Sequence, residues 1–185
     1  IDMILAKAQL FASLEQFERS LELYDRVVAF RPDDEGTALS HAELLLRMGR
    51  VDDALDAYSV AVKRWPKSAL SLNAYGYTLA DRTDRFAEAE KLIQKAIKLD
   101  PDNPAIIDSL GWVLYKLGRL DEALTELQRA YDGFDDHEVA AHLVEVLVAM
   151  DRRAEAQELL DVALVKSPES PLLDDVRTRF FPDSP

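Results

Sequence analysis

Apolar residues recur along this chain at spacings of three and four, the pattern of helices with one buried face. One early segment carries Ile4, Ala8 and Phe11, and the next carries Phe17 and Tyr24. Stripes of the same spacing continue to about residue 163, and a shorter one follows between residues 172 and 180. The pattern predicts an all-α chain without strands.

Small residues return on one face of these helices with a period close to 34. The most regular series is spaced by 34, 34, 35 and 33 residues and consists of Ala8, Ala42, Gly76, Gly111 and Val144. A proline series follows a similar period, at Pro32, Pro66, Pro101 and Pro168. Two antiparallel helices approach closely only where one of them has almost no side chain, and proline ends a helix. The chain is therefore predicted to repeat a helix–turn–helix unit.

A 34-residue period with these small residues and this proline is the signature of the tetratricopeptide repeat. We expect a right-handed superhelical solenoid of five helix pairs, followed by a C-terminal capping helix. The predicted units are 1–34, 35–68, 69–103, 104–136 and 137–170, and the capping helix with its tail is 171–185. We refer to these units as repeats 1 to 5.

The charge and composition narrow the class of partner. The net charge is −13, which disfavours nucleic acids and anionic membrane surfaces as partners. Residues 104–185 carry 17 Asp and Glu against 8 Lys and Arg, so the C-terminal half holds most of the acidity. This acidity serves solubility, or it steers a basic protein partner. The chain contains no cysteine, which excludes disulfides and cysteine-ligated zinc.

The sequence offers no catalytic or metal-binding arrangement. We expect His41 to pack in the core, His137 to lie on the surface and His142 to face the groove; none stands at a metal-ligand spacing. There is no glycine-rich phosphate loop, and paired acids such as Asp52 and Asp53 suit the first turn of a helix. The prediction is a protein without enzymatic activity, cofactor or metal.

The concave face of the solenoid is the candidate binding surface. The first helix of each repeat lines this face, with exposed positions expected three before, one after and four after the small residue. In repeats 3 to 5, these positions and their neighbours give the candidate partner-binding residues Asn73, Tyr77, Asp108, Trp112, Tyr115, Lys116, His142 and Glu145. Aromatic residues with polar tips often dominate interfaces. The alternative is that these rings only cover neighbouring repeats.

Two further expectations concern partners. Some cytosolic cofactors of this repeat family hold a C-terminal carboxylate with Lys and Asn on successive groove helices. The groove positions here carry no such lysine, so a carboxylate clamp is not expected. An apolar N-terminal face around Ile4, Leu5, Phe11 and Phe17 predicts self-association, or contact with further repeats upstream.

The C-terminal part also resembles a narrower family. The segments 72–83, 104–115 and 140–147 are similar to the C-terminal repeats of proteobacterial outer-membrane lipoproteins, above all the pseudomonad lipoprotein adaptors of a periplasmic carboxyl-terminal processing protease. The resemblance implies a periplasmic scaffold, anchored by an N-terminal lipid outside this sequence, that holds the protease and its cell-wall hydrolase substrates together. Val144 departs from the glycine expected there.

Two other functions stay open at this point. The repeats would also suit a cytosolic assembly or secretion chaperone, or a regulatory domain of a larger enzyme. A signal peptide ending in a cysteine in the full-length gene would distinguish the periplasmic adaptor from the cytosolic chaperone.

Overall fold

A computed structural model describes residues 1–182, which contain eleven α-helices and no strand. In chain order, α1 to α11 are Asp2–Ser13, Phe17–Phe30, Glu35–Arg47, Val51–Arg64, Ala69–Arg82, Phe86–Leu99, Pro104–Lys116, Leu120–Gly133, His137–Ala149, Arg153–Lys166 and Pro171–Phe180. Odd-numbered and even-numbered helices pair as the first and second helices of five units, and α11 follows the last pair. No described helix has the length and apolar character needed to cross a membrane.

Short polar residues cap the first helices of repeats 2 to 5 and the capping helix α11. Their side chains accept hydrogen bonds from backbone N–H groups of the first turn, at Asp34, Ser68, Asn103, Asp136 and Ser170. Such caps satisfy donors that have no partner inside the helix. The sequence therefore fixes where each unit begins.

The turn inside a unit uses a left-handed backbone conformation in four of the five pairs. Gly49 and Gly118 have φ of 73° and 75°, a conformation common for glycine just after the end of a helix. Glu15 and Asp151 adopt φ of 57° and 60° at the corresponding turns of repeats 1 and 5. Both are less suited than glycine to this conformation.

Glycine sets the closest helix pairs. A Cβ atom on Gly76 would lie 2.7 Å from Ile93 Cγ1, and one on Gly111 would lie 2.5 Å from Leu127 Cγ. The pairs α5–α6 and α7–α8 accordingly have the most extensive helix–helix packing. The pair α9–α10 packs less closely, because the residue at its crossing is Val144 and not glycine. The side chain at the crossing thus governs how near the two helices approach.

The capping helix α11 sits differently from the other first helices. Where those helices contact the preceding unit, they pack mainly on its second helix, whereas α11 packs mainly on α9, the first helix, and much less on α10. The apolar residues of α11 and its C-terminal end are buried in one cluster with residues of α9 and α10, namely Leu173, Val176 and Phe181. As a result α11 lies towards the concave side of the array. Residues 183–185 of the predicted tail lie outside the described residues.

The exposed apolar face of α1 lies beside the predicted one. Ile4, Leu5, Phe11 and Phe17 are all half-buried within the first helix pair. The exposed apolar side chains of this helix are Met3 and Leu10, and Leu14 follows at its end. The exposed face is therefore one helical stripe away from the predicted one, and Leu5 and Phe17 instead pack around the core of repeat 1 and against Leu44 of repeat 2. Self-association stays a prediction.

Candidate protein-binding groove

The first helices and α11 enclose a cavity of about 580 Å³ on the concave side, called here the main groove. It begins at α3, runs past α5, α7 and α9, and ends at α11. Of the candidate residues, the structure brings five to its wall, namely Tyr77, Trp112, Lys116, His142 and Glu145. Asn73 and Asp108 line a smaller recess that shares Tyr77 with the main groove. Tyr115 is half-buried beside Trp112.

A buried ion pair joins repeats 4 and 5 beneath the groove. His142 Nδ1 lies 2.9 Å from Asp108 Oδ1 and 3.1 Å from Oδ2, and both side chains are almost completely buried. Because a carboxylate can only accept, Nδ1 is the nitrogen that carries the proton. The two residues are 34 positions apart, so they occupy neighbouring places on successive first helices.

The carboxylates around His142 favour its charged form. Burial by itself lowers the pKa of an imidazole, but the charge and hydrogen bond of Asp108, with Glu138 and Glu145 on the same helix, outweigh it. The net result is a pKa of His142 above its ordinary value of 6.5. The carboxylates around His142 thus favour protonation of its ring beneath the groove.

Trp112 connects this pair to the groove wall. Its ring stacks on His142 with 4.1 Å between centroids, and Lys116 Nζ lies 4.2 Å from the centre of the indole. Trp112 is only 4% exposed and belongs to the central apolar core. The expectation that this position presents an exposed ring is therefore wrong. The ring covers neighbouring repeats and also forms part of the groove wall.

Asp108, His142 and Glu145 were also expected on an open face, and all three are buried. The physical reason is that each of these side chains has a partner or a covering helix beside it. Asp108 and His142 satisfy one another, and α11 covers Glu145 from the concave side. These groups shape and charge the groove more than they offer contact area.

Tyr77 separates the main groove from the smaller recess. Its hydroxyl donates to Glu138 Oε1 over 2.7 Å, which links repeat 3 to the first turn of α9. Burial, together with the nearby charge of Glu138, raises the pKa of the Tyr77 hydroxyl far above its ordinary value, so it stays protonated as a donor. Tyr77 is held in one orientation at the centre of the concave face.

Arg179 of α11 is a groove residue that the sequence reasoning missed. Its guanidinium nitrogens lie 3.0 and 3.2 Å from the two oxygens of Glu145 and also 3.0 Å from Asp175 Oδ2. Arg179 comes 34 residues after Glu145, the same interval that separates Asp108 from His142. The repeat period was therefore a signal that could have revealed this pair.

Other groove residues left no such signal. Glu138 meets Tyr77 across 61 residues, an interval that is no multiple of the repeat. Arg47 and Glu43 line the N-terminal end of the groove and are exposed. Within residues 1–182, no group of three or more His, Asp or Glu side chains is arranged to hold a metal ion.

The two remaining histidines lie outside the main groove. His41 is half-buried, with Nε2 at 2.9 Å from Asp25 Oδ1 and its ring tilted against Tyr24, so it packs at the edge of the core and not within it. His137 opens α9 and is exposed, as expected.

Sequence and structure comparisons place this geometry in a family. Two sequence profiles described as tetratricopeptide repeat match residues 39–104 and 82–141. The chain is a tetratricopeptide repeat protein. Its sequence is 38% identical over 145 residues to the TPR repeat-containing protein PA4667 of Pseudomonas aeruginosa, covering 78% of this chain and 25% of that protein. The chain therefore spans about a quarter of that relative's length.

Solved tetratricopeptide structures confirm the superhelical fold. The thermophilic TPR protein TTC0263 of Thermus thermophilus superposes with a TM-score of 0.81 at 24% identity, over 97% of this chain and 96% of that one. YrrB, described as a TPR protein with an unusual peptide-binding site, gives a TM-score of 0.61 at 19% identity over 95% and 90%. Proteins of this fold are generally non-catalytic scaffolds that bind protein partners on an extended concave surface.

Proposed function

We propose that the main groove binds a segment of a partner protein, and that this tetratricopeptide array acts as a periplasmic adaptor. In this role it would bring a carboxyl-terminal processing protease together with its cell-wall hydrolase substrates. The protein would be tethered to the outer membrane by an N-terminal lipid outside this sequence. The similarity of residues 72–147 to adaptor lipoproteins, together with the likeness to a Pseudomonas protein of the same repeat family, supports the proposal.

One observation carries the binding role. The main groove combines an aromatic wall with a lysine that has no carboxylate partner among the described residues, since Lys116 Nζ contacts only the rings of Trp112 and Tyr115. A cation held over rings can still donate to a carboxylate or carbonyl oxygen of a ligand. The groove therefore offers a partner both apolar contact and an unused donor.

The groove can be tested with a charge reversal that leaves the core intact. The natural full-length protein would be tagged as wild type, Lys116→Glu and Lys98→Glu, where Lys98 is an exposed lysine on α6 away from the groove. Affinity for the purified carboxyl-terminal processing protease of the same organism would be measured for all three. Loss of at least tenfold in Lys116→Glu alone, equal to about 1.4 kcal/mol, supports the groove as the binding site.

The same proteins also test the adaptor role. Unchanged binding in Lys116→Glu, at equal thermal stability, would show that the protease does not use the groove. No binding in any variant would refute the protease as partner. Cell fractionation with labelled fatty acid addresses the proposed location, because a cytosolic, unlipidated protein contradicts it.

We also propose that the exposed face of α1 is an interface, covered either by a second copy of the chain or by further repeats upstream. Met3 is 83% exposed and Leu10 is 55% exposed, whereas Thr37 and Leu44, at the corresponding places of α3, are buried by the preceding unit. A solenoid face with this register is shaped to receive another helix. Sedimentation at rising concentration should show association in the wild type and its loss in Leu10→Glu, with Val165→Glu as a control on α10.

A further inference from the structure

Two basic side chains of the main groove have no carboxylate partner. Arg47 and Lys116 both line this groove, and neither forms an ion pair with any residue of the described range 1–182. Each lies over an aromatic ring instead. The guanidinium carbon of Arg47 is 4.8 Å from the centre of the Phe17 ring, and Lys116 Nζ lies on Trp112 as described above. A cation held over a ring keeps N–H groups that can donate to a ligand.

The other charged groups of the main groove are already matched within the chain. Five carboxylates of the described residues line the groove, and each has its own donor, namely Glu43 in Tyr58, Asp81 in Arg82, Glu138 in Tyr77, and Glu145 and Asp175 in Arg179. The remaining basic residues of the groove, Arg82, Arg179 and His142, are paired in the same way. The unmatched groups that a ligand meets are therefore cationic.

Arg47 and Lys116 occupy the same place in two different repeats. They are the last residues of α3 and α7, and α5 lies between these helices in contact with both. Helices in contact are about 8–10 Å apart, which separates the two cations by about 16–20 Å. An extended segment advances about 3.3 Å per residue, so it covers this distance in about five or six residues.

We propose that the partner segment in the main groove carries two acidic side chains about five residues apart, one bound by Arg47 and the other by Lys116. The inference rests on the proposed function and adds the charge of the partner and the path of its segment, from α3 across α5 to α7. A polypeptide has one terminal carboxylate, whereas two separate cations need two. At least one of the acidic groups is therefore a side chain.

Charge also limits what can lie between the two acidic groups. Glu43 and Glu138 are held by tyrosine hydroxyls, which leave their negative charge in place. A continuous run of acidic residues would meet these carboxylates, so the intervening residues are expected to be neutral. The net charge of −13 repels an acidic segment from the rest of the surface, which confines the attraction to the groove.

Blocked peptides test the charge and the spacing. The probe is acetyl-Ser-Glu-Leu-Ser-Leu-Ser-Glu-Ser-amide, whose amide end removes the terminal carboxylate. One matched peptide has glutamine in place of both glutamates, and another, acetyl-Ser-Leu-Ser-Glu-Glu-Ser-Leu-Ser-amide, has the same composition with adjacent glutamates. Nuclear magnetic resonance would follow the indole N–H of Trp112 and the backbone amide of Arg47 in the labelled protein. We expect the probe to bind roughly fivefold or more tightly than the glutamine peptide, and roughly threefold or more tightly than its isomer.

Paired variants assign the response to the two cations. Arg47→Gln and Lys116→Gln should each weaken the probe roughly threefold or more. The controls Arg26→Gln and Lys98→Gln remove the same charges at exposed sites outside the groove and should leave its affinity unchanged. Reversal of both groove charges, by Arg47→Glu with Lys116→Glu, should make the protein prefer a peptide with lysine in place of both glutamates. Thermal unfolding of each variant confirms that the fold is retained.

Two results would overturn the proposal. The first is equal affinity for the glutamate and glutamine peptides, and the second is an equal loss in Arg47→Gln and Arg26→Gln. If the peptides show no charge preference while Lys116→Glu still weakens protease binding, the proposed function stands without this inference. A charge preference in a protein that does not bind the protease would refute the protease as partner and leave the acidic segment as the ligand.

Discussion

The two halves of the concave face share a repeat pattern and differ in burial. In repeats 1 and 2, the position one residue after the small residue is Gln9 or Glu43, and both are exposed. In repeats 4 and 5, the same position is Trp112 or Glu145, and both are buried. The position within the repeat therefore sets the direction of a side chain, whereas the neighbouring residues determine whether solvent reaches it.

Three features of the C-terminal half close that surface. Gly111 lets α7 and α8 approach closely, the large Trp112 ring reaches His142 on the next helix, and α11 folds back onto α9. The N-terminal half has alanine at its crossings and no tryptophan in its first helices, and none of the helices described within residues 1–182 lies across its groove. The C-terminal half is therefore preorganised, and its groove residues serve stability and recognition together.

The largest effect is expected for Trp112→Ala, which tests whether burial distinguishes the halves. Removing a buried indole should lower the free energy of unfolding by about 3–5 kcal/mol. Gln9→Ala, at the same register in the open half, should change it by about 0.5 kcal/mol or less. Urea unfolding of both variants gives the comparison. Similar losses at the two sites would mean that the halves do not differ as described.

A smaller loss is expected for Gly111→Ala, which tests the close crossing. The new methyl group would meet Leu127 at 2.5 Å, so either the side chain or the helix must shift, at a cost of about 1–3 kcal/mol. Gly36→Ala is the control, because its Cβ would approach no atom closer than 3.6 Å. Thermal unfolding that shows equal melting temperatures for both variants would contradict the steric argument.

The buried pair makes the C-terminal half sensitive to pH. His142 has a folded pKa above its unfolded value, so its stabilising contribution is complete below about pH 6.5 and is lost as pH rises through the folded pKa. The stability difference between the wild type and His142→Gln should therefore shrink from pH 6 to pH 9 in urea titrations. His137→Gln, an exposed change in the same helix, serves as the control. A difference that grows with pH would reverse the sign proposed here.

The smallest effect is expected where α11 contacts the groove. Arg179→Ala removes the ion pair with Glu145, which lies at a partly exposed site. We therefore expect the free energy of unfolding to fall by about 1 kcal/mol. Arg177→Ala, which removes an exposed pair with Asp174, should cost less than about 0.5 kcal/mol. Hydrogen exchange of α11 amides would show whether the Arg179 pair fastens the helix. Equal protection in both variants would assign that role to Leu173 and Val176 alone.

The sequence by itself determined the repeat architecture. Spacing of apolar residues set the helices, small residues at Gly76 and Gly111 marked the crossings, and Asp34 or Ser68 marked where first helices begin. These signals are local or strictly periodic, so they survive without knowledge of the folded chain. They also placed Tyr77, Trp112 and His142 on one surface.

Only the tertiary structure decided how that surface is used. It buried Trp112, set α11 on the concave side of α9 and brought Glu138 to Tyr77 across 61 residues. It also moved the exposed apolar face of α1 to Met3 and Leu10. The physical reason is that helical phase gives a direction to each side chain, whereas burial depends on the distance and tilt of helices that lie far away in sequence.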